Sequence, residues 1–171
     1  TAYRRQRQMC IRDRVYMDDY RYQALRTLTR ARFDVIQNLT REKQRFANYL
    51  FLKCSGIAQD KDIQNTSATT IALMERFETV DDLANADLDE LTAFLDEKGR
   101  NFADPAAKAK VIRTAARDSY RLPVTVNNSV NQAMAVSIAS MRALEKQVKV
   151  LDKAIEQPVS YTHLRAHETS Q

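Results

Sequence analysis

The feature that most constrains the fold of this chain is an apolar repeat in its last third. Counting from Val130 in alternating steps of four and three residues gives eight positions, all apolar except one serine. They are Val130, Met134, Ser137, Met141, Leu144, Val148, Leu151 and Ile155. This spacing places all eight on one stripe of a helix and is typical of a coiled-coil seam. The sequence therefore predicts a long helix, starting at Asn127 or Asn128 because either residue is a good N-cap.

A second long helix is predicted near the start of the chain. Residues 19–53 contain no glycine or proline, and their apolar side chains recur at helical spacing. The heptad here is weaker, because Thr29, Arg32 and Lys43 stand where a strict seam would be apolar. We expect this helix to end at Ser55-Gly56, with Gly56 in the left-handed C-cap conformation.

Short helices are predicted between the two long ones. Residues 68–77 form one helix, Thr79 and Asp87 precede two more, and Gly99 is expected to close the second of these. Asp104-Pro105 then places a capping carboxylate before proline, a strong helix start. With only two glycines and three prolines in 171 residues, the chain is predicted to be all-α. We expect two long antiparallel coiled-coil helices bracketing a small helical cluster, as a stalk with a head at its tip.

The two ends of the chain are related through their coding DNA. Residues 158–164, PVSYTHL, can be encoded by DNA whose reverse complement encodes QMCIRDR, residues 8–14, over seven consecutive codons. This DNA resembles the mosaic-end adapter of sequencing libraries, so we interpret residues 1–14 and 158–171 as adapter-derived and expect them to be disordered. The predicted domains are a long basic helix (15–56), a helical head (57–123) and a coiled-coil helix (124–157).

Charge is strongly segregated inside the remaining piece, although its net charge is only about +1. Residues 20–54 carry eight basic and two acidic side chains, and residues 105–121 carry five and one. Residues 75–97 carry nine acidic side chains and one basic. Two interpretations stay open: the basic helices contact nucleic-acid phosphates, or they dock against the acidic segment. The candidate nucleic-acid-binding residues are Arg26, Arg30, Arg41, Arg45, Lys108, Lys110, Arg113 and Arg117.

No catalytic, cofactor-binding or metal-ligating residue is assigned from the sequence. Both histidines and Cys10 fall in the two end segments, and Cys54 is interpreted as a small core residue. Ser119 has no histidine within residues 15–157 to act as its base, and the acidic residues 75–97 mostly suit helix starts. With no disulfide framework and no apolar run of membrane-spanning length, we expect a cytoplasmic protein that does not cross a membrane.

The order of segments resembles a known family. ALRTLTRARFDVIQNLTREKQRFANYL, then IALMERFETVDDLANADLDELTAFLDEKGR, then KAKVIRTAARDS and the heptad helix together resemble the insertion-sequence one-ten family of transposases. The resemblance covers Asp19 to Gln157 and implies the helical middle of a bacterial DEDD transposase. That family has a RuvC-like nuclease domain before this region and a serine-bearing catalytic domain after it.

Several expectations follow from the resemblance. The piece lacks both catalytic centres, and neither Asp18, Asp19 nor Ser119 inherits a catalytic role. The parent's Mg²⁺ would be held by an acidic tetrad that this piece lacks, and the piece itself would hold no cofactor. Its partners would be DNA, a structured guide RNA and further protomers joined through the coiled coil. The alternative is a non-enzymatic coiled-coil scaffold that binds another protein.

Overall fold

The computed structural model describes the backbone of residues 2–98 and 104–168 and the side chains of residues 22–98 and 104–156. Within these ranges every regular element is a helix, which confirms the all-α class. The helices are α1 (Ala2–Lys53), α2 (Ser55–Gln59), α3 (Ala68–Arg76), α4 (Val80–Asn85), α5 (Leu88–Lys98), α6 (Pro105–Arg117) and α7 (Val124–Glu168). Two long helices thus bracket a cluster of short ones along the chain, as predicted.

Both long helices continue into the end segments for which we expected disorder. Helix α1 begins at Ala2, and helix α7 ends at Glu168. Residues 2–14 contain neither glycine nor proline, so no residue there opposes a helix. The backbone of residues 2–14 and 158–168 is therefore helical.

Contacts divide the chain into two compact units. The first, here the terminal unit, comprises Thr1–Leu39 and Ala143–Gln171, and the second, the central unit, comprises Thr40–Arg142. Both boundaries lie inside the long helices. The predicted domain boundaries after residues 56 and 123 lie at other positions, inside α2 and directly before α7.

In the terminal unit each long helix carries a half-buried apolar stripe. On α7 the stripe consists of the predicted seam residues Leu144, Val148, Leu151 and Ile155. On α1 it consists of Leu25, Leu28, Arg32, Val35 and Leu39, again in steps of three and four. Arg32 is tolerated on this stripe because its guanidinium pairs with the Asp152 carboxylate. Thr29, in contrast, is exposed and off the stripe, which corrects the predicted register at this residue.

The central unit contains the buried core. Helix α6 packs against α2, α4 and α5, and α3 packs against α5. Phe46 and Leu50 contribute from α1 and Met134 from α7, so both long helices enter this core. The largest fully buried side chains are Phe46, Leu50, Ile57, Leu73, Leu83, Leu91, Leu95, Ile112 and Met134. The seam residues Val130, Met134, Ser137 and Met141 are also buried, so the heptad continues into this unit.

Two helix starts in the central unit follow the predicted capping chemistry. The Thr79 hydroxyl accepts the Asp82 N–H at 3.0 Å, while the Asp82 carboxylate accepts the Thr79 N–H at 3.0 Å. This is a complete capping box at the start of α4. The Asp104 carboxylate accepts the Ala107 N–H at 3.0 Å with Pro105 as the first residue of α6. Asp87 directly precedes α5 as predicted, whereas Gly99 lies outside the described residues.

The region around Gly56 differs from the prediction. Helix α1 ends at Lys53, and Gly56 lies inside the short helix α2 without a left-handed conformation. A methyl group on Gly56 would lie 2.0 Å from the Ala115 carbonyl oxygen of α6. Glycine is required here by the close approach of two helices, not by a helix end.

Helix α7 starts earlier than predicted. It begins at Val124, where the Pro123 carbonyl accepts the N–H groups of Val126 and Asn127 at 3.0 Å. Asn127 is buried and donates its side-chain amide to the Glu78 carbonyl at 3.2 Å. Neither Asn127 nor Asn128 caps the helix, because Pro123 already supplies the first carbonyl acceptor.

Candidate nucleic-acid interface

In the terminal unit, two of the candidate basic residues lie on α1. Arg26 and Arg30 are one helical turn apart, and both are exposed. Among the described residues neither forms an ion pair. Arg32, two residues further on, is half-buried and neutralised by Asp152. Arg26 and Arg30 thus face solvent, whereas Arg32 forms an ion pair within the terminal unit.

Two further candidates lie on α1 in the central unit. Arg41 is exposed and has no acidic partner within the described side chains. Arg45 pairs with Glu42 on the same helix, yet 62% of its side chain stays exposed. The Glu42 carboxylate also accepts the Ser137 hydroxyl of α7 at 3.2 Å. Glu42 is therefore held toward α7, and the Arg45 side chain remains largely in solvent.

The four candidates on α6 divide into two kinds. Lys108 donates to the Asp62 carbonyl, and Arg117 donates to the Ala84 carbonyl at 3.2 Å. Both therefore tie α6 to neighbouring segments of the central unit. Lys110 is exposed and Arg113 is half-buried, and neither has an acidic partner in the described part of the chain.

The acidic segment 75–97 pairs with other basic residues. Glu75 pairs with Arg142 of α7 at 2.9 Å, and Asp81 pairs with Arg121 at 2.6 Å. Glu90 pairs with Arg76 of the same segment. None of the eight candidates forms an ion pair with this segment among the described residues. Helix α6 nevertheless packs against α4 and α5 of this segment, and Arg117 donates to the Ala84 carbonyl within it.

Lys53 is a buried basic residue that was not among the candidate site residues predicted from the sequence. It is only 3% exposed, and its ammonium donates to the carbonyls of Met74 at 3.1 Å and Phe77 at 2.7 Å. Burial lowers the pKa of Lys53 to about 8, although nearby Cys54, Glu78 and Asp82 act in the opposite direction. These carbonyls lie in the last turn of α3 and at its C-cap, where a cation is favoured.

Lys53 also lines an open cleft of the central unit with a volume of about 410 Å³. Glu75, Glu78 and Asn131 lie along its walls, with Met134 and Ile138 of α7. Because both carbonyl contacts of Lys53 lie at the end of α3, we assign this lysine a structural role.

Cys54 and Ser119 form a buried contact rather than an open site. The Ser119 hydroxyl accepts the Gly56 N–H at 2.9 Å and donates to the Ala115 carbonyl at 2.8 Å. Its oxygen lies 3.3 Å from the Cys54 sulfur. Cys54 is 1% exposed, which confirms the interpretation of this residue as part of the core.

The described residues do not fit a metal centre or a membrane span. No group of three or more His, Cys, Asp or Glu side chains among them could hold a metal ion. Asp18 and Asp19 are not among the residues whose side chains the structure describes. No helix within the described residues is both long enough and apolar enough to cross a membrane.

Comparison with protein-family models, with curated proteins and with solved structures finds no significant match for this chain.

Proposed function

We propose that this chain binds nucleic acid through exposed arginines of α1 and basic residues of α6, as the helical middle of a bacterial insertion-sequence transposase. The observation that carries this proposal is the pairing pattern of the basic residues. Arg32, Arg121 and Arg142 each have a carboxylate partner. Arg26, Arg30 and Arg41 are exposed and have none among the described residues.

Unpaired guanidinium groups in solvent are suited to phosphate. An arginine that pairs with a carboxylate must break that contact before it binds a phosphate oxygen, whereas an unpaired one need not. Arginine also presents a planar fork of donors that matches two phosphate oxygens. DNA is the proposed main partner, with a structured guide RNA as a second, and both would be met in the bacterial cytoplasm.

Catalysis is assigned to other parts of the parent protein. In this proposal the parent's Mg²⁺ and nucleophilic serine belong to domains on either side of the present chain. The described side chains offer no cluster fit for a metal, so we derive no catalytic step from them. The contribution of this chain is to hold nucleic acid and to join protomers through the coiled coil.

Salt-dependent binding tests the proposal. The full chain is titrated against a labelled mixed-sequence DNA duplex, together with the variant Arg26→Ala/Arg30→Ala/Arg41→Ala. We expect the variant to lose affinity about tenfold or more at low salt. Its slope of log K against log salt concentration should be shallower by about 0.9 for each phosphate contact removed. Alanine is a good helix former, so circular dichroism should be unchanged.

A charge-matched control separates these arginines from net charge. The variant Lys146→Ala/Lys149→Ala/Lys153→Ala removes three positive charges from exposed positions of α7 outside the candidate set. The basic residues of positions 1–14 are present in all the proteins compared, so they do not cause a difference. Equal losses in the two variants, or no salt-dependent binding by the parent chain, would contradict the proposal.

The alternative function, a scaffold that binds another protein, is favoured by one observation. Phe51 and Leu52 at the end of α1 are 44% and 48% exposed, although both are large apolar side chains. Such residues side by side can anchor a protein partner. Absence of salt-dependent DNA binding by the parent chain would leave this alternative as the better description.

A further inference from the structure

One face of α1 in the central unit combines guanidinium and amide groups. Arg41, Gln44, Arg45 and Asn48 occur at steps of three, four and seven residues from Arg41, and all four are exposed. They therefore form one contiguous strip along the helix. Glu42 is the only acidic residue between positions 40 and 53, and it is half-buried and bonded to Ser137. The strip itself carries no carboxylate.

We propose that this strip enters the major groove of B-form duplex DNA and contacts base edges, an inference that rests on the proposed function. Asparagine and glutamine amides pair in a bidentate manner with adenine, and arginine pairs similarly with guanine. An α-helix with its side chains is about 10–12 Å across, which fits a groove about 12 Å wide, and from Arg41 to Asn48 the helix rises about 10 Å along its axis. The strip thus offers four side chains of the types that recognise bases, at helical spacing.

The four side chains divide into two roles. Gln44 and Asn48 are uncharged, so they add little to general attraction toward phosphate and supply sequence preference. Arg41 supplies charge, and Arg45 is restrained by Glu42 while most of its side chain remains in solvent. Phe51, the next exposed residue along the same face, offers an apolar contact of the kind made with a thymine methyl group.

Duplex DNA fits the strip better than duplex RNA or a protein. The major groove of A-form RNA is deep and narrow, so side chains of a helix do not reach its base edges. A protein surface would favour a more apolar strip, whereas the exposed positions between 41 and 48 are all polar. The combination of positive charge and flat amides is complementary to a DNA groove in both charge and hydrogen bonding.

Selection from a DNA pool tests this inference. The full chain is mixed with duplexes randomised over a central stretch, and the bound fraction is sequenced. We expect enrichment of sites containing adenine and guanine at neighbouring positions, with about tenfold discrimination at the best positions. In Gln44→Ala/Asn48→Ala the preference at the adenine positions should disappear, while mean affinity for the pool changes less than about threefold.

A matched control and a competitor make the result decisive. Gln147→Ala removes an exposed amide from α7 and should keep the full preference. An A-form RNA duplex should compete poorly with the selected DNA. Enrichment that survives Gln44→Ala/Asn48→Ala, absence of enrichment, or equal competition by duplex RNA would each overturn the groove-reading inference. In those cases salt-dependent binding would still stand, whereas no binding at all would remove the proposed function as well.

Discussion

At the scale of single residues, the contact between α2 and α6 depends on Gly56 and Ser119. The Ser119 hydroxyl accepts the Gly56 N–H, and a side chain at position 56 would meet the Ala115 carbonyl oxygen. That oxygen belongs to the backbone of a helix, so it cannot rotate away as a flexible side chain could. The two helices can approach this closely only with glycine at position 56.

We therefore expect Gly56→Ala to destabilise the protein strongly. The added methyl group forces α2 and α6 apart, and overpacking of this kind costs about 3 kcal/mol. The free energy of unfolding in urea measures the loss. Ala93→Ser adds one heavy atom at an exposed position of α5 and should change stability by less than about 0.5 kcal/mol. An unchanged unfolding midpoint in Gly56→Ala would mean that the helices are not in this close contact.

Lys53 makes stability depend on pH in a specific direction. Burial lowers its pKa in the folded protein to about 8, below the value of about 10.4 for an unfolded chain. Between these values the unfolded chain binds more protons, so stability rises with pH. Loss of the Lys53 proton therefore adds to the free energy of unfolding. This gain is complete above the unfolded pKa of about 10.4 and is lost as pH falls through about 8.

A variant isolates this contribution. We expect the unfolding free energy of the parent minus that of Lys53→Met to increase between pH 7 and about pH 10, as linkage requires. Lys61→Met, at an exposed position, should give a difference that is flat with pH. Parallel pH profiles for the parent and Lys53→Met would show that Lys53 has the same pKa in the folded and unfolded states.

At the scale of helices, the sequence predicted what local chemistry determines. The capping box at Thr79, the Asp104-Pro105 start and the seam of α7 all follow from residues within a few positions of one another. Helix α2 has only five residues, so it shows no periodicity. The role of Gly56 depends on Ala115, which is distant in sequence. Such requirements appear only once helices are packed.

The eight candidate basic residues remain a prediction from the sequence. Sequence alone could not distinguish Arg41, which has no acidic partner among the described residues, from Arg117, which donates to the Ala84 carbonyl. It also could not show that the acidic segment pairs instead with Arg121 and Arg142. Partner choice among surface charges depends on which helices become neighbours, and composition does not contain that information.

At the scale of the whole molecule, burial along the α7 seam bears on self-association. Met134 and Met141 are buried in the central unit, whereas Leu144 and Leu151 are only half-buried in the terminal unit. Half of a leucine side chain contributes about 1 kcal/mol when buried. The remaining apolar surface is available to a second protomer, which is the proposed homo-oligomer contact.

We expect Leu144→Asn to abolish any association through this stripe. If protomers associate there, the melting temperature of the parent rises with protein concentration, because association stabilises the folded state. The variant should lose this dependence and should sediment as a smaller species. Gln147→Asn, off the seam, should behave as the parent. Equal mass and melting temperature for the parent and Leu144→Asn at all concentrations would exclude this interface.

The hydrogen bond between the Gly56 N–H and the Ser119 hydroxyl also has a consequence for the order of folding events. It connects residues 63 positions apart, and closing a loop of this length in a disordered chain costs about 4 kcal/mol of entropy. The cost falls once α3 to α6 have packed, because the flexible length between the two residues is then shorter. We infer that the contact between Gly56 and Ser119 forms late, after the folding transition state. Gly56→Ala should then accelerate unfolding and leave the refolding rate nearly unchanged in stopped-flow kinetics.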